Sequence, residues 1–373
     1  MTDFLNEIVG NEKVKTVLTN ILLSGNIPHA LLFVGPDGVG KENTAIAFTK
    51  AVNTNINDLN LNKKIVHSIE SFSEPYIKYI LPLPRGKNET DQHDPYEKLS
   101  IDEIEIINSE FEKKSKNHFY KIEIPKANLI KISSIRDIKK FLSMNYDDVK
   151  YRIILVSQAH LMNEESQNAL LKNLEEPPEG VIFILSTSSP EKLRETIRSR
   201  CWKINFQPLE NNVVSDILVN QFDIERSLAD EVAPFSSGSL QEAIDLIEND
   251  FEELKEQAIR VLRYSFGKKY HSALSEFEEI ISESNQIKAK LLIRMILFWL
   301  NDFQKYRFHN ETDLFYQKHI ETLEKFYTKF PDVQLASTTQ SLDKISSTFR
   351  NNINLNVAVS NIVFQLSQLT TQN

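Results

Sequence analysis

The chain has 373 residues, of which 41% are hydrophobic and 25% charged, a composition typical of a soluble globular protein. This length exceeds one ordinary hydrophobic core, so two or three domains are expected. A net charge of −9 argues against autonomous binding of nucleic acid. The single cysteine, Cys201, excludes a disulfide within the chain and a cysteine zinc cluster, and it favours a cytoplasmic location. The first residues lack a signal-peptide pattern, and the most apolar run, 291–300, is too short for a membrane span.

The first part of the chain, residues 1–207, alternates helical patterns with short apolar runs. The runs are ALLFVG, RIILVS and VIFILST, at 30–35, 152–157 and 181–187. Short and nearly continuous apolar runs between helices are typical of parallel strands that are buried on both faces. The sequence therefore predicts an α/β fold in which a parallel sheet is flanked by helices.

Segment 53–127 differs in composition from its surroundings and is predicted to be an insertion. Its stretch 74–96 is rich in proline and charge, which predicts an extended loop that is either held by packing or mobile. His67 and His93 are too far apart in sequence to form a metal signature. We therefore expect no zinc in this segment.

From about residue 208 onward, the pattern predicts helices only. Residues 208–250 form a small helical unit, and residues 251–373 form longer amphipathic helices. Several aromatic residues near helical spacing predict the core of a helix bundle and not a ligand site. They are Phe298, Trp299, Phe303 and Tyr306.

The stretch GPDGVGK, residues 35–41, matches most of a phosphate-binding loop. Gly35, Gly40 and Lys41 fit the pattern G-x-x-x-x-G-K, with Gly38 between them, after a predicted strand and before a predicted helix. Glycines let backbone N–H groups meet phosphate oxygens, and the lysine can reach the terminal phosphates. A tight strand-to-helix turn is the structural alternative, but the context favours descent from a nucleotide-binding loop.

Two features of the sequence argue against hydrolysis of a nucleotide at this loop. Glu42 stands where the pattern has Ser or Thr, whose hydroxyl binds Mg²⁺, although a carboxylate could itself bind the metal. The strand at 152–157 ends in Ser157 and Gln158, where carboxylates would hold Mg²⁺ and polarise the attacking water. His160 follows, and we interpret it as a structural residue and not as a catalytic base.

Three stretches together resemble the clamp-loader subunits of bacterial DNA polymerase III: IPHALLFVGPDGVGK, AHLMNEESQNALLKNLEEPP and FILSTSSPEKLRETIRSRC. The resemblance is strong over 1–207, moderate over 208–250 and weak beyond. It implies an AAA+ domain at 1–207, a helical lid at 208–250 and an all-α collar domain for oligomerisation at 251–373. It also implies a hetero-oligomeric ring with gamma/tau and delta subunits. Such a ring, as part of the DNA-directed DNA polymerase holoenzyme, places a sliding clamp on primer-template DNA.

The resemblance also implies roles for individual residues. Arg200, in SRC, matches an arginine finger that acts on the γ-phosphate of a neighbouring subunit. Val9 and Gly10 lie in the stretch that matches the family's adenine contacts. Gln241 stands where the family's lid has an arginine for the γ-phosphate. Together with the altered metal ligand and strand end, this predicts a subunit that does not hydrolyse ATP, and it leaves open whether ATP or ADP is still bound.

Two other functions stay open on the sequence alone. One is an active ATPase subunit of the gamma/tau type, and the other is a nucleotide-binding scaffold unrelated to replication. The first predicts ATP turnover by the purified chain, and the second predicts that the chain does not associate with polymerase III subunits.

Overall fold

The computed structural model describes residues 3–54, 58–144, 149–283, 285–308, 314–348 and 354–370. The chain divides into two compact units. The first contains Met1–Asp230 and Ser237–Gln241, and the second contains Glu231–Ser236 and Glu242–Asn373. The finer division at residues 207 and 250 stays a prediction.

Five parallel strands form one sheet in the first unit: β1 (Ala30–Val34), β2 (Ile77–Ile80), β3 (Arg152–Val156), β4 (Val181–Thr187) and β5 (Trp202–Asn205). Their order in the sheet is β2-β3-β4-β1-β5. Strands β1, β3 and β4 occupy the three apolar runs and are almost entirely buried, because helices cover both faces of the sheet. In register, Val34 lies beside Thr187 and Val156 beside Leu185, so the carboxyl ends of these three strands meet at one edge.

Two strands were not predicted. Strand β2 lies inside the segment 53–127 and belongs to the central sheet, and the interpretation of this segment as an insertion stays a prediction. Strand β5 is at the edge of the sheet, and only Ile204 of its four residues is buried, so it has no continuous apolar run.

Helices of the first unit begin at capping residues that the sequence supplies. Asn163 accepts a hydrogen bond from the backbone of Ser166, and Ser100 forms a capping box with Glu103. The helices are α1 (Glu12–Ser24), α2 (Lys41–Asn53), α3 (Leu59–Glu70), α4 (Ile101–Lys116), α5 (Ile132–Arg136), α6 (Ile138–Ser143), α7 (Glu164–Glu175), α8 (Glu195–Arg198) and α9 (Asn211–Phe222). Every residue of α2 except Glu42 is buried, so α2 is the central helix of this unit.

Only helices occur among the regular elements described beyond residue 207. Helices α10 (Arg226–Val232) and α11 (Leu240–Glu248) span the division between the units. The second unit continues with α12 (Phe251–Phe266), α13 (Tyr270–Ser275), α14 (Glu278–Ser282), α15 (Gln286–Arg307), α16 (Ile320–Lys329), α17 (Ala336–Thr348) and α18 (Leu355–Gln368). None of the helices in the described ranges is both long and apolar enough to cross a membrane.

Of the four aromatic residues of α15 that were predicted to form a core, Trp299 and Phe303 lie in the core of the second unit, and Phe298 and Tyr306 are only partly buried. Trp299 and Phe303 are buried, and both rings pack edge-on against Phe326 of α16. Phe298 contacts Phe235 and is only partly buried. The predicted fold class, a parallel α/β sheet flanked by helices and followed by helical elements, is therefore confirmed.

Candidate functional site

The phosphate-type loop joins β1 to α2 at the edge where the strands end. Gly38 and Gly40 have φ angles of 74° and 84°, in the left-handed region that glycine adopts without strain. A Cβ atom on Gly35 would lie 2.7 Å from the carbonyl oxygen of Phe206. All three glycines are therefore required by the loop's own conformation and packing, as in the tight-turn interpretation.

Lys41 begins α2, and its side chain binds its own loop. The ammonium donates hydrogen bonds to the carbonyl oxygens of Gly35, at 2.8 Å, and Pro36. Burial lowers the pKa of Lys41, and this outweighs the opposite effects of the nearby Asp37 and Glu42 carboxylates. In this arrangement, Lys41 donates its hydrogen bonds to two carbonyl groups of the loop. In a nucleotide-binding loop, the lysine would instead donate them to a phosphate.

Glu42, the residue that departs from the motif, is fully engaged within the protein. Tyr79 donates its hydroxyl to Oε2 at 2.7 Å, and the hydroxyl of Ser157 donates to Oε1. The ammonium of Lys114 lies 2.8 Å from Oε2. Burial alone would raise the pKa of Glu42, but the Lys114 charge and these hydrogen bonds outweigh it and lower the pKa to about 2. Glu42 is therefore an anion with a built-in counter-charge.

Lys114 projects from α4, and its side chain is only 3% exposed. Besides the Glu42 carboxylate, its ammonium donates to the carbonyl oxygens of His118, at 2.8 Å, and Tyr120, at 2.6 Å. An ammonium has three hydrogens, and these three oxygens accept all of them. The chain after α4 thus folds around the lysine and forms one wall of the site.

A cavity of about 70 Å³ lies between this wall and the loop. Its lining includes Gly38, Gly40, Lys41, Phe119, Gln158 and Gln241. Ligand pockets for whole cofactors usually measure roughly 300–1,000 Å³. The cavity is therefore small for a nucleotide in this conformation.

The polar groups at the strand ends bond to one another. Ser157 follows β3 and is occupied by Glu42, and Gln158 has a left-handed backbone with φ 49°. His160 lies with its Nδ1 3.1 Å from the hydroxyl of Thr187 at the end of β4. These contacts support the interpretation of His160 as a structural residue.

The stretch Ser239–Gln241 packs directly against the loop. The amide of Leu240 donates to the carbonyl oxygen of Gly38 at 3.0 Å. A Cβ atom on Gly38 would lie 2.4 Å from the hydroxyl oxygen of Ser239 and 2.7 Å from the amide nitrogen of Gln241. Gln241, at the expected place of a lid arginine, thus borders the cavity.

The other predicted residues lie outside the cavity lining. Val9 is partly exposed, and Gly10 has a φ of 70° and packs beside Leu209. Gly35 is the first residue of the loop and packs against Phe206. The structure therefore places Gly38, Gly40 and Lys41 in the cavity lining and Gly35 in hydrogen-bond contact with Lys41, whereas Val9 and Gly10 do not line the cavity.

Arg200 also lies away from the cavity, on the surface after α8. Its Nη2 is 3.0 Å from Oε1 of Glu175, and its Nη1 donates to the carbonyl oxygen of Thr196 at 3.0 Å.

Burial raises the pKa of the neighbouring Cys201 to about 12, so that thiol stays protonated at neutral pH. Among the described residues, no group of three or more His, Cys, Asp or Glu side chains could hold a metal ion.

Sequence reasoning missed Lys114 and Tyr79, which are the partners of Glu42. Both belong to the segment whose role could not be inferred from the sequence. Lys114 stands in the charged run EKKSKNH, which ordinarily indicates an exposed helix face, and Tyr79 stands in the unpredicted strand β2. No local signal in the sequence distinguishes them from neighbouring residues.

Fold and site define a parallel α/β module in which a glycine-rich loop joins β1 to α2 and is followed by Lys41 and Glu42. Residues 10–210 match the family described as DNA polymerase III, delta subunit. Because this match covers more than half of the 373 residues, the chain belongs to that family.

The chain is also similar to curated subunits of DNA polymerase III. It is 28% identical to subunit tau of Bacillus subtilis over 247 residues, which cover 65% of this chain and 37% of the relative. It is 30% identical to subunit gamma of Buchnera aphidicola subsp. Schizaphis graminum over 250 residues, which cover 65% of this chain and 57% of the relative. The chain thus spans less than two thirds of either relative.

Among solved structures, the chain is similar to a DNA polymerase III gamma subunit-related protein from Thermotoga maritima. The alignment covers 96% of this chain and 99% of that chain, with 14% identity and a TM-score of 0.44.

Proposed function

We propose that this chain is a non-hydrolysing clamp-loader subunit of the delta-prime type. In a ring with gamma/tau and delta subunits, it helps to place the sliding clamp on primer-template DNA. Membership of the DNA polymerase III, delta subunit family supports the setting. Similarity to tau and gamma subunits of DNA polymerase III supports an origin shared with those subunits.

One observation supports the non-hydrolysing role: both oxygens of the Glu42 carboxylate are already bonded to other side chains of the chain. A magnesium–nucleotide site of this kind needs a ligand oxygen directly after the loop lysine and acidic groups at the neighbouring strand end. Here that position is a carboxylate already bonded to Tyr79, Ser157 and Lys114, and β3 is followed by Ser157 and Gln158. These residues do not fit a bound magnesium–nucleotide.

In this ring, Arg200 would act as an arginine finger on the γ-phosphate of a nucleotide in a neighbouring subunit. A guanidinium is planar and permanently charged, and it can bond two phosphate oxygens at once. Arg200 is held at the surface by a partly exposed ion pair with Glu175. Pairs of this type contribute about 0–1 kcal/mol, so the side chain can exchange this partner for a phosphate at small cost.

An active gamma/tau-type ATPase is the second candidate, and the identity of the curated relatives favours it. The purified chain separates the two functions. We expect it to hydrolyse Mg-ATP no faster than its Lys41→Ala variant, whereas turnover that is abolished by this substitution would reject the proposal. Pull-down with gamma/tau and delta subunits tests the setting, and failure to bind both would favour an unrelated scaffold.

A further inference from the structure

The positive charge next to Glu42, at the start of α2, is the ammonium of Lys114. We propose that Lys114 excludes divalent metal ions from the loop by occupying, as a fixed counter-cation of Glu42, the place where a metal would bind. The inference rests on the proposed non-hydrolysing role and extends it to specificity. The chain would then reject metal–nucleotide complexes as a class because it carries this lysine, and not only because it lacks a hydroxyl.

The oxygens around Lys114 resemble the ligands that Mg²⁺ and Mn²⁺ prefer. A carboxylate, two backbone carbonyls and nearby hydroxyls are all hard oxygen donors. Three of them, from Glu42, His118 and Tyr120, bind the ammonium at 2.6–2.8 Å. A metal ion at Glu42 would have to displace this ammonium or remain next to its positive charge.

Lys114 is held in this position by the wall that surrounds it. The hydroxyl of Tyr120 donates to both carboxylate oxygens of Glu110, at 2.9 and 2.8 Å, and the amide of Glu123 donates to the same carboxylate at 2.8 Å. Glu110 and Lys114 are both buried on α4. Moving the ammonium aside would therefore break several bonds and leave a charge buried without a partner.

Removal of the Lys114 charge should expose a metal site. We would titrate the full chain with Mn²⁺, with and without ATP, and follow free and bound metal by electron paramagnetic resonance. Lys114→Met should bind Mn²⁺ at least ten-fold more tightly than wild type, because the Glu42 carboxylate is then left without a cation. Adding Glu42→Gln should remove this gain, and Lys116→Met, which changes an exposed lysine on the same helix, should behave as wild type.

Two results would overturn the inference. One is wild-type binding of Mn²⁺ that Glu42→Gln abolishes, and the other is a folded Lys114→Met variant without any gain in affinity. Should Lys114→Met fail to fold, the same comparison is made between Glu42→Ser and Glu42→Ser/Lys114→Met. In that background the double variant should bind Mn²⁺ with ATP more tightly, and equal affinity would count against the inference.

Failure of the metal-exclusion inference and failure of the proposed function would give different results. A chain that binds no metal in any variant could still donate Arg200 within a ring, so only the metal-exclusion inference would be lost. A wild-type chain that turns over ATP would instead overturn the non-hydrolysing role.

Discussion

Nη2 of Arg200 lies 3.0 Å from Oε1 of Glu175, and the two side chains are 37% and 49% exposed. The ion pair joins the turn after α8 to the last residue of α7 at the surface of the first unit. Because water competes for both charges, the pair orients the guanidinium but adds little to the free energy of unfolding. The guanidinium can therefore exchange Glu175 for another anion at small cost.

Arg200→Ala should therefore separate stability from function. We predict a change of less than about 1 kcal/mol in the free energy of unfolding, measured by urea denaturation. In a ring reconstituted with gamma/tau and delta subunits, the same substitution should lower ATPase activity several-fold, because one active site loses a cation that stabilises its transition state.

Arg198→Ala is the matched control, because Arg198 is an exposed arginine two residues earlier on α8. It should leave both stability and ring ATPase near wild type. Loss of ring assembly by Arg200→Ala would instead give Arg200 a structural role.

The titration of Glu42 gives a second prediction. Its pKa is lowered from 4.5 to about 2 in the folded chain, so the carboxylate stabilises the fold above pH 4.5, and this contribution is lost as the pH falls towards 2. A shift of this size corresponds to about 3 kcal/mol. The free-energy difference between wild type and Glu42→Gln should therefore shrink by about 2 kcal/mol between pH 6 and pH 3.

Urea unfolding at the two pH values measures this difference. Glu105→Gln, on the exposed face of α4, is the control and should differ from wild type by no more than about 0.5 kcal/mol. A gap between wild type and Glu42→Gln that stays constant with pH would show that the carboxylate is not held as a charged, paired group.

Sequence reasoning located the elements that follow a periodic or motif pattern. The three buried strands, the loop, α2 and the departure at Glu42 all follow from local residue patterns. The partners of Glu42 do not, because Tyr79 and Lys114 are distant in sequence and are polar groups at buried positions. On α4, the buried face is formed by Ile107, Glu110 and Lys114, so a hydrophobic period cannot reveal it.

Gly38 provides a third prediction, on how closely Ser239–Gln241 packs against the loop. Gly38 and Gly25 have similar left-handed φ angles, 74° and 69°, but a Cβ atom on Gly25 would meet nothing within 4 Å. Gly25→Ala should therefore cost only the backbone strain, about 1–2 kcal/mol. Gly38→Ala should cost about 1–3 kcal/mol more, because the methyl group collides with Ser239 and Gln241.

Thermal or urea unfolding of the two variants tests this difference. Equal costs would mean that the segment at 239–241 moves away from the loop freely. A larger loss of stability in Gly38→Ala would support tight packing of Ser239–Gln241 against the loop.

A buried ion pair joins the proline-rich stretch 74–96 to Lys131, and this pair gives the last prediction. Lys131 lies 2.7 Å from Glu89, with side chains 3% and 4% exposed, and it also donates to the carbonyl oxygen of Pro95 at 2.9 Å. Lys131→Met should cost about 3–5 kcal/mol, because it leaves the Glu89 charge buried without its partner, and it should speed proteolysis within 84–98. Arg85→Met removes the exposed pair with Asp91 and should cost less than about 1 kcal/mol. Equal losses of stability in the two variants, with unchanged proteolysis, would mean that packing and not the ion pair holds this stretch against the sheet.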